Sequence, residues 1–179
     1  MDDVRIVPYD PAWPALFVAE ARRLREALDL DLVLGIEHFG STAVPGLAAK
    51  PIIDILIAVG LLARAKAATI EPIIALGYVY WAENPKRDRM FFVKGMPPYG
   101  ERRTHHIHIT EPGGEMWLRR LKFRDYLRTN VDEARRYEAL KYELAERYPD
   151  DREAYTDAKT EYVEEIYRRM GVVGGASGT

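Results

Sequence analysis

The chain has 179 residues, a formal net charge of -2, 47% hydrophobic residues and 30% charged residues, which fits one soluble globular domain with a real core. It contains no cysteine, so disulfides, thiolate metal sites and cysteine nucleophiles are excluded, and its charge balance creates no global basic field for nucleic acid. No apolar run is long enough to span a bilayer, and the opening MDDVRIVPYD carries an early acidic pair without an apolar signal core, so a cytoplasmic protein with no membrane partner is expected.

The elements follow in chain order. Val4 to Val7 reads as a short extended arm. Asp10-Pro11-Ala12-Trp13-Pro14 turns into a helix, with Asp10 as a cap and prolines suited to a first turn. Trp13, Phe17, Leu24 and Leu28 share its apolar face, and it should end near Asp29. Leu32 to Phe39 reads as the first core strand. A loop from Gly40 to Lys50 leads to a second strand, Ile52 to Val59. Leu61 to Leu76 is helical in pattern, with Gly77 as its C-terminal cap. Tyr78 to Trp81 is a short strand, and Ala82 to Arg89 a polar turn. Met90 to Lys94 and Arg103 to Thr110 form a hairpin. From Trp117 onward the pattern is helical, broken at Thr129-Asn130 and at Pro149-Asp150-Asp151, which gives three C-terminal helices. The expected organisation is a single α/β (α+β) domain over 1–170, with a core over 1–115, C-terminal helices over 116–170 and a flexible tail over 171–179.

Asp54 is the anomaly in the second strand, alone in the apolar run Ile52-Ile53-Asp54-Ile55-Leu56-Ile57. Asp is depleted in strands, and a buried charge without a partner is costly. Such a residue caps something, pairs with something or binds a metal. Strand periodicity puts Asp54 and Leu56 on one face, and His106 and His108 on one face of the hairpin. His-x-His on a strand is a chelating spacing, although it also occurs as hydrogen-bonded surface. Asp54 with His106 and His108 would supply one carboxylate and two imidazoles, a set for a divalent metal such as Mg, Mn or Zn. His38 reads as a structural hydrogen-bonder.

Gly40-Ser41-Thr42 is not a phosphate-binding P-loop. Its small residues and hydroxyls could still form an anion nest, with Lys50 adding a charge, or be ordinary turn chemistry. Arg119, Arg120, Lys122, Arg124 and Arg128 could line a cleft for an anion. A solvated helix face is the preferred reading for most of them. Arg124 stands apart in Phe123-Arg124-Asp125-Tyr126-Leu127 and could pair with Asp125 or a core carboxylate. Lys141 and Lys159 each follow a tyrosine by four residues, Tyr137 and Tyr155, and either face the sheet or snorkel over it; snorkelling is preferred. Tyr99 and Trp117 are candidate aromatics for a protein-partner surface.

Several of these stretches together resemble the GrpB (UPF0157) family of the nucleotidyltransferase-like superfamily. They are Tyr9 to Pro14, Ile36 to Leu47, Lys50 to Asp54, His105 to His108, Phe123 to Leu127 and the Tyr/Lys helices, in the family's order over roughly residues 4–170. The family is also similar to the C-terminal extension of some bacterial dephospho-CoA kinases, whose Walker A motif this sequence lacks. The resemblance implies a minimal nucleotidyltransferase-like mixed sheet flanked by helices, with a helical C-terminal part. It implies that Gly40 and Ser41 match the Gly-Ser signature that handles nucleotide phosphates, with Thr42, Lys50 and Arg124 as further phosphate-binding candidates. Asp54 matches the first metal-binding carboxylate. The second carboxylate position falls on Leu56, and His106 or His108 would have to replace the third.

Two functions follow from that resemblance. The first is a metal-dependent nucleotidyltransferase-like enzyme, using ATP or another NTP and a small acceptor, or a metal-dependent phosphoester hydrolase with a histidine base. The second is a non-catalytic nucleotide- or anion-binding module with a degenerate two-metal site.

Overall fold

The computed structural model describes residues 4–172. Most of the expected flexible tail therefore lies outside the described residues. Helix α1 spans Trp13–Ala27, and strand β1 spans Val33–Phe39. One 3-10 turn, Ser41–Ala43, precedes β2, Ile53–Val59. Then come α2 (Leu62–Ala75), β3 (Tyr78–Tyr80), β4 (Met90–Lys94) and β5 (His105–Thr110). Four helices finish the chain: α3 (Glu115–Thr129), α4 (Val131–Arg147), α5 (Arg152–Ala158) and α6 (Thr160–Arg169). The sequence pattern anticipated three. The last apolar stripe is divided at Lys159, where Thr156 and Thr160 turn their hydroxyls onto the carbonyls of Arg152 and Thr156. Such side chains compete with the helical ladder.

The sheet has the order β1-β2-β5-β4-β3. Only β2 and β5 run parallel; the other neighbours are antiparallel. The register sets Asp54 beside His106 and Leu56 beside His108 on the two central strands. The alternation then sorts the two faces. Ile53, Ile55 and Ile57 join Ile107 and Ile109 under α1 and α2, packed with Trp13, Leu24 and Ile73. Burying side chains of this size contributes about 1.5–3 kcal/mol each, so this face is the main anchor of the fold.

The opposite face carries Asp54, Leu56, His106 and His108. Phe39, Leu56 and Met116 form a small cluster there, flanked by Trp117 and Leu121. Trp117 is thus packed against the sheet, where the sequence suggested an exposed partner surface; Tyr99 is 56% exposed. Val44 and Leu47 of the loop before β2 pack on Leu127 of α3 and Tyr137 of α4. The N-terminal arm closes against α4 and α5 through Val4, Leu144 and Tyr155. These contacts fold the C-terminal helices over the polar half of the sheet. Among the described residues, no helix is long and apolar enough to cross a membrane.

Candidate functional site

Asp54 sits where β2 leaves the loop, against Gly40. The glycine has φ +73°, and a Cβ at this position would overlap the Asp54 Oδ2 atom. Both the positive φ and the missing side chain are therefore required for the carboxylate to lie here. Asp54 Oδ1 accepts a hydrogen bond from His106 Nδ1 at 3.0 Å. Burial by itself would raise the Asp54 carboxyl; the His106 bond and charge, with His108 and Lys50, hold it below the ordinary range. The carboxylate thus stays ionised and fixes the Nδ1–H tautomer of His106. His106 Nε2 is left buried without a hydrogen-bond partner, as is Nδ1 of His108. Burial pushes His108 well below its usual value, and His106, Arg120 and Arg89 add to the shift. His108 is accordingly neutral near pH 7, set against the Phe39 and Phe91 rings at 5.5 and 4.5 Å.

His38 is on the other side of the sheet. It stacks on Phe17 at 4.7 Å, and its Nε2 pairs with Thr42 Oγ1 at 3.0 Å. Burial pushes it down to about 4. It is the structural histidine that the sequence suggested. Thr42, 1% exposed, also donates to the Ile52 carbonyl at 3.2 Å. Its hydroxyl braces the two ends of the loop, and the residue lines the same cavity as Gly40 and Ser41.

A cavity of about 420 Å³ opens over the Asp54 face, within the usual size of a small-molecule site. Gly40, Ser41, Lys50, Asp54, His106 and His108 all line it. Ser41 is a hydrogen-bond partner of Tyr137, whose phenol burial pushes up to about 12. Lys141 and Lys159 also face the cavity, which corrects the snorkelling reading. Lys141 is 2% exposed and donates to the Ala48 carbonyl. The i, i+4 spacing from Tyr137 and Tyr155 works as expected, setting each ammonium group over its own tyrosine ring, at 5.0 and 4.4 Å.

Arg124 is not part of this wall. Its guanidinium donates to Glu37 at 2.8 Å, to the His38 carbonyl at 2.9 Å and to Asp125 at 2.7 Å. It pins α3 to β1 and has no donor pointed at the cavity, so it is a positioning residue rather than a phosphate ligand. Arg119 is similarly engaged with Glu115 and Glu164. Arg120 is the arginine of this helix that enters the cavity. The signal for it was in the sequence: Arg120, Phe123 and Leu127 recur at helical spacing, and Phe123 and Leu127 are core residues. Arg103 and Arg152 also line the cavity and were not singled out, because nothing local marks a strand-end or helix-start arginine as inward-facing.

Eight Lys and Arg side chains and the Asp54 carboxylate line the cavity, and one of the eight, Arg89, is ion-paired with Asp88 just outside the lining. Trp81, 49% exposed, stands at its edge with its ring 5.9 Å from Phe91. A second cavity of about 590 Å³ adjoins the first and shares Trp81, Asn84, Lys86 and Arg89 with it.

A two-metal arrangement needs carboxylates that converge. Among the described residues, no three His, Asp or Glu side chains form a group able to hold a metal ion. Asp54 and His106 are bonded to each other, and Leu56, in the second carboxylate position, is 0% exposed. The donor set expected from Asp54, His106 and His108 is therefore not assembled as a triad, and it does not fit a two-metal centre.

A mixed sheet with a Gly-Ser turn and an ionised Asp on a polar face, covered by cation-bearing C-terminal helices, defines an α/β protein with a Lys- and Arg-lined cleft over the sheet. Residues 3–169 match the GrpB protein family, and the chain belongs to that family. It is 52% identical over 168 residues to a UPF0157 protein of Pseudomonas aeruginosa, covering 94% of this chain and 68% of that one. It is 36% identical to the glutamate-rich protein GrpB of Alkalihalophilus pseudofirmus, covering 94% and 96%. The crystal structure of conserved protein GrpB from Enterococcus faecalis superposes with a TM-score of 0.82 at 36% identity, covering 92% of this chain and 96% of that one. A dephospho-CoA kinase of Mycolicibacterium paratuberculosis is 34% identical over 93% of this chain, which spans 46% of that protein.

Proposed function

We propose that this protein binds a nucleoside triphosphate in the cationic cleft and transfers its nucleotidyl group to a small hydroxyl or amine acceptor. The observation that carries this reading is the gathering of eight Lys and Arg side chains with the Asp54–His106 dyad in one cavity. A triphosphate is the common metabolite group with enough negative charge for such a wall, and Lys and Arg recognise it by charge-assisted hydrogen bonds. Ser41 and Lys50 contact the phosphates from the loop side; Arg120, Lys141 and Lys159 contact them from the helices. Trp81 offers a face for the base to stack on.

In the transfer, the acceptor oxygen or nitrogen attacks the α-phosphorus and a new P–O or P–N bond forms. The bond to the bridging oxygen breaks, and pyrophosphate leaves with its charge held by the lysines. His106 Nε2 takes the acceptor proton, and Asp54 stabilises the imidazolium that results. The adjoining cavity, which shares Trp81 and Arg89 with the cleft, gives the acceptor room to approach. No step is assigned to a metal, because the donor set does not fit one. The superfamily resemblance of the Gly40-Ser41 turn and Asp54 supports the reaction class.

A second reading, a nucleotide-binding module without turnover, is favoured by Leu56, which stands where the superfamily resemblance calls for a second carboxylate. The two are separated by incubating the protein with α-labelled NTPs and a panel of small alcohols and amines. Labelled product with release of pyrophosphate supports transfer. Saturable NTP binding with no product across the panel leaves the binding module, and absence of NTP binding rejects both.

A further inference from the structure

The cleft gathers eight Lys and Arg side chains, and three of its lysines lie over two tyrosine rings at one end. Lys50 Nζ and Lys159 Nζ lie 4.8 and 4.4 Å from the centre of the same Tyr155 ring. Lys141 Nζ lies 5.0 Å from the centre of the neighbouring Tyr137 ring. Arg120 lines the same cavity. Burial, with Lys50 acting on both and Lys141 and Arg120 on Lys159, pushes Lys141 and Lys159 down to about 7. Like charges held together away from water are costly, and an anion between them removes the cost.

Where enzymes transfer phosphoryl or nucleotidyl groups, divalent cations held by carboxylates ordinarily neutralise the phosphate oxygens. Here the carboxylates for that task are missing: Leu56 is fully buried, and Asp54 is bonded to His106. The charge is instead on lysine side chains, delivered by one loop and by the helices α3 and α4 and the α5–α6 junction. We propose that Lys50, Lys141 and Lys159, with Arg120, form a subsite for the terminal phosphates of a polyphosphate, and that this subsite fills without a divalent cation. The inference rests on the triphosphate-binding reading of the cleft and deepens it by naming where the phosphate tail lies and what neutralises it.

Inorganic tripolyphosphate tests the subsite, because it has neither a base to stack nor a group to transfer. Isothermal titration is run once in EDTA and once in excess Mg²⁺, on the wild type and on Lys159→Met, Lys159→Arg and Arg120→Gln. Circular dichroism establishes that each variant is folded. The subsite predicts binding in EDTA, and weaker binding in Mg²⁺, because the metal complex carries less negative charge. Lys159→Met and Arg120→Gln each weaken binding about tenfold, the loss of one charge-assisted hydrogen bond, and Lys159→Arg retains most of it. Binding that requires Mg²⁺, no binding at all, or equal affinity in the folded Lys159→Met and Arg120→Gln variants would overturn the proposal. Tripolyphosphate binding in EDTA together with failure to bind ATP would keep the subsite and reject the nucleotidyl-transfer reading. Binding of ATP solely as its Mg²⁺ complex would do the reverse.

Discussion

The two faces of the sheet each hold a buried polar cluster, and the clusters are built on opposite rules. Under α1, Glu20 is 5% exposed and fully served. Tyr78 donates to it at 2.9 Å, Lys94 at 2.7 Å and Arg23 at 2.9 Å. Burial would raise the Glu20 carboxyl, but the Lys94 and Tyr78 bonds hold it below its ordinary value. Every partner is accounted for by another protein atom, and the network fastens α1 to β3 and β4. Under the C-terminal helices, eight Lys and Arg side chains and the Asp54 carboxylate line the cavity, and among the described residues His106 Nε2 and His108 Nδ1 are buried without hydrogen-bond partners. A cluster with every partner satisfied stabilises the fold; buried ring nitrogens left without one mark a site arranged for a ligand.

This contrast can be broken or sharpened by mutation. The largest effect is expected at His106. His106→Ala should lower the rate of nucleotidyl transfer by about 10²–10⁴-fold, the usual worth of a general base, with NTP affinity changed little. Rate and affinity measured separately check it, and an unchanged rate would remove His106 from the chemistry. Next comes the balanced cluster. Glu20→Ala strands Lys94 and Tyr78 and should destabilise the protein by about 3 kcal/mol, read by urea denaturation. Its NTP affinity, measured on the folded fraction, should stay at the wild-type value. A loss of affinity there would mean that the two faces are coupled and that the contrast is false.

A smaller effect is expected at Trp81. Trp81→Ala should weaken ATP about tenfold, in line with roughly 1–3 kcal/mol for base stacking. It should leave tripolyphosphate affinity unchanged. Equal losses for both ligands would move the base elsewhere and make Trp81 a structural residue.

A further expectation concerns pH. Lys141 and Lys159 titrate near 7 when folded and near their ordinary 10.5 when unfolded. Between those values the unfolded chain holds protons that the native state has released, so unfolding free energy rises with pH across this window. Below about 7 both states are protonated, and the native state carries the full cost of the buried charges. Asp54 faces Lys159, Glu138 faces Lys141, and both act against the shift, while Lys50 acts with it on both lysines and Arg120 on Lys159. Polyphosphate binding needs the charged amines, so its affinity should fall as pH rises above 7. Stability of the ligand-free protein and affinity for tripolyphosphate, followed from pH 6.5 to 9.5, should therefore move in opposite directions. Parallel trends would contradict the assignment of these lysines to the subsite.

The strands were legible in the sequence as short apolar runs bounded by turn residues, and the period of two then put Asp54 with Leu56 on one face of β2 and His106 with His108 on one face of β5. The register that makes Asp54 and His106 neighbours was not, since it depends on which strands pair and in which direction. The division of α5 from α6 was hidden for a different reason: the apolar stripe of Tyr155, Ala158, Tyr162 and Ile166 keeps its spacing through the break. Arg124 and Thr42 illustrate the limit for sites. Residue type made both plausible phosphate ligands; Arg124 is instead spent on Glu37, Asp125 and the His38 carbonyl, and Thr42, though it lines the cavity, has its hydroxyl bonded to His38 and Ile52. Lys141 and Lys159 show the converse. A Tyr-x-x-x-Lys pair fixes a helical side without saying whether that side meets water or a cleft, and the answer came from how α4 and α5 fold over the sheet.

The central claim is tested most directly by a crystal structure of the protein soaked with a non-hydrolysable ATP analogue in EDTA. The account predicts density for the triphosphate tail among Lys50, Lys141 and Lys159, the α-phosphate beside Ser41 and His106, and the base against Trp81. Density confined to the adjoining cavity, or to the face beneath α1, would contradict it.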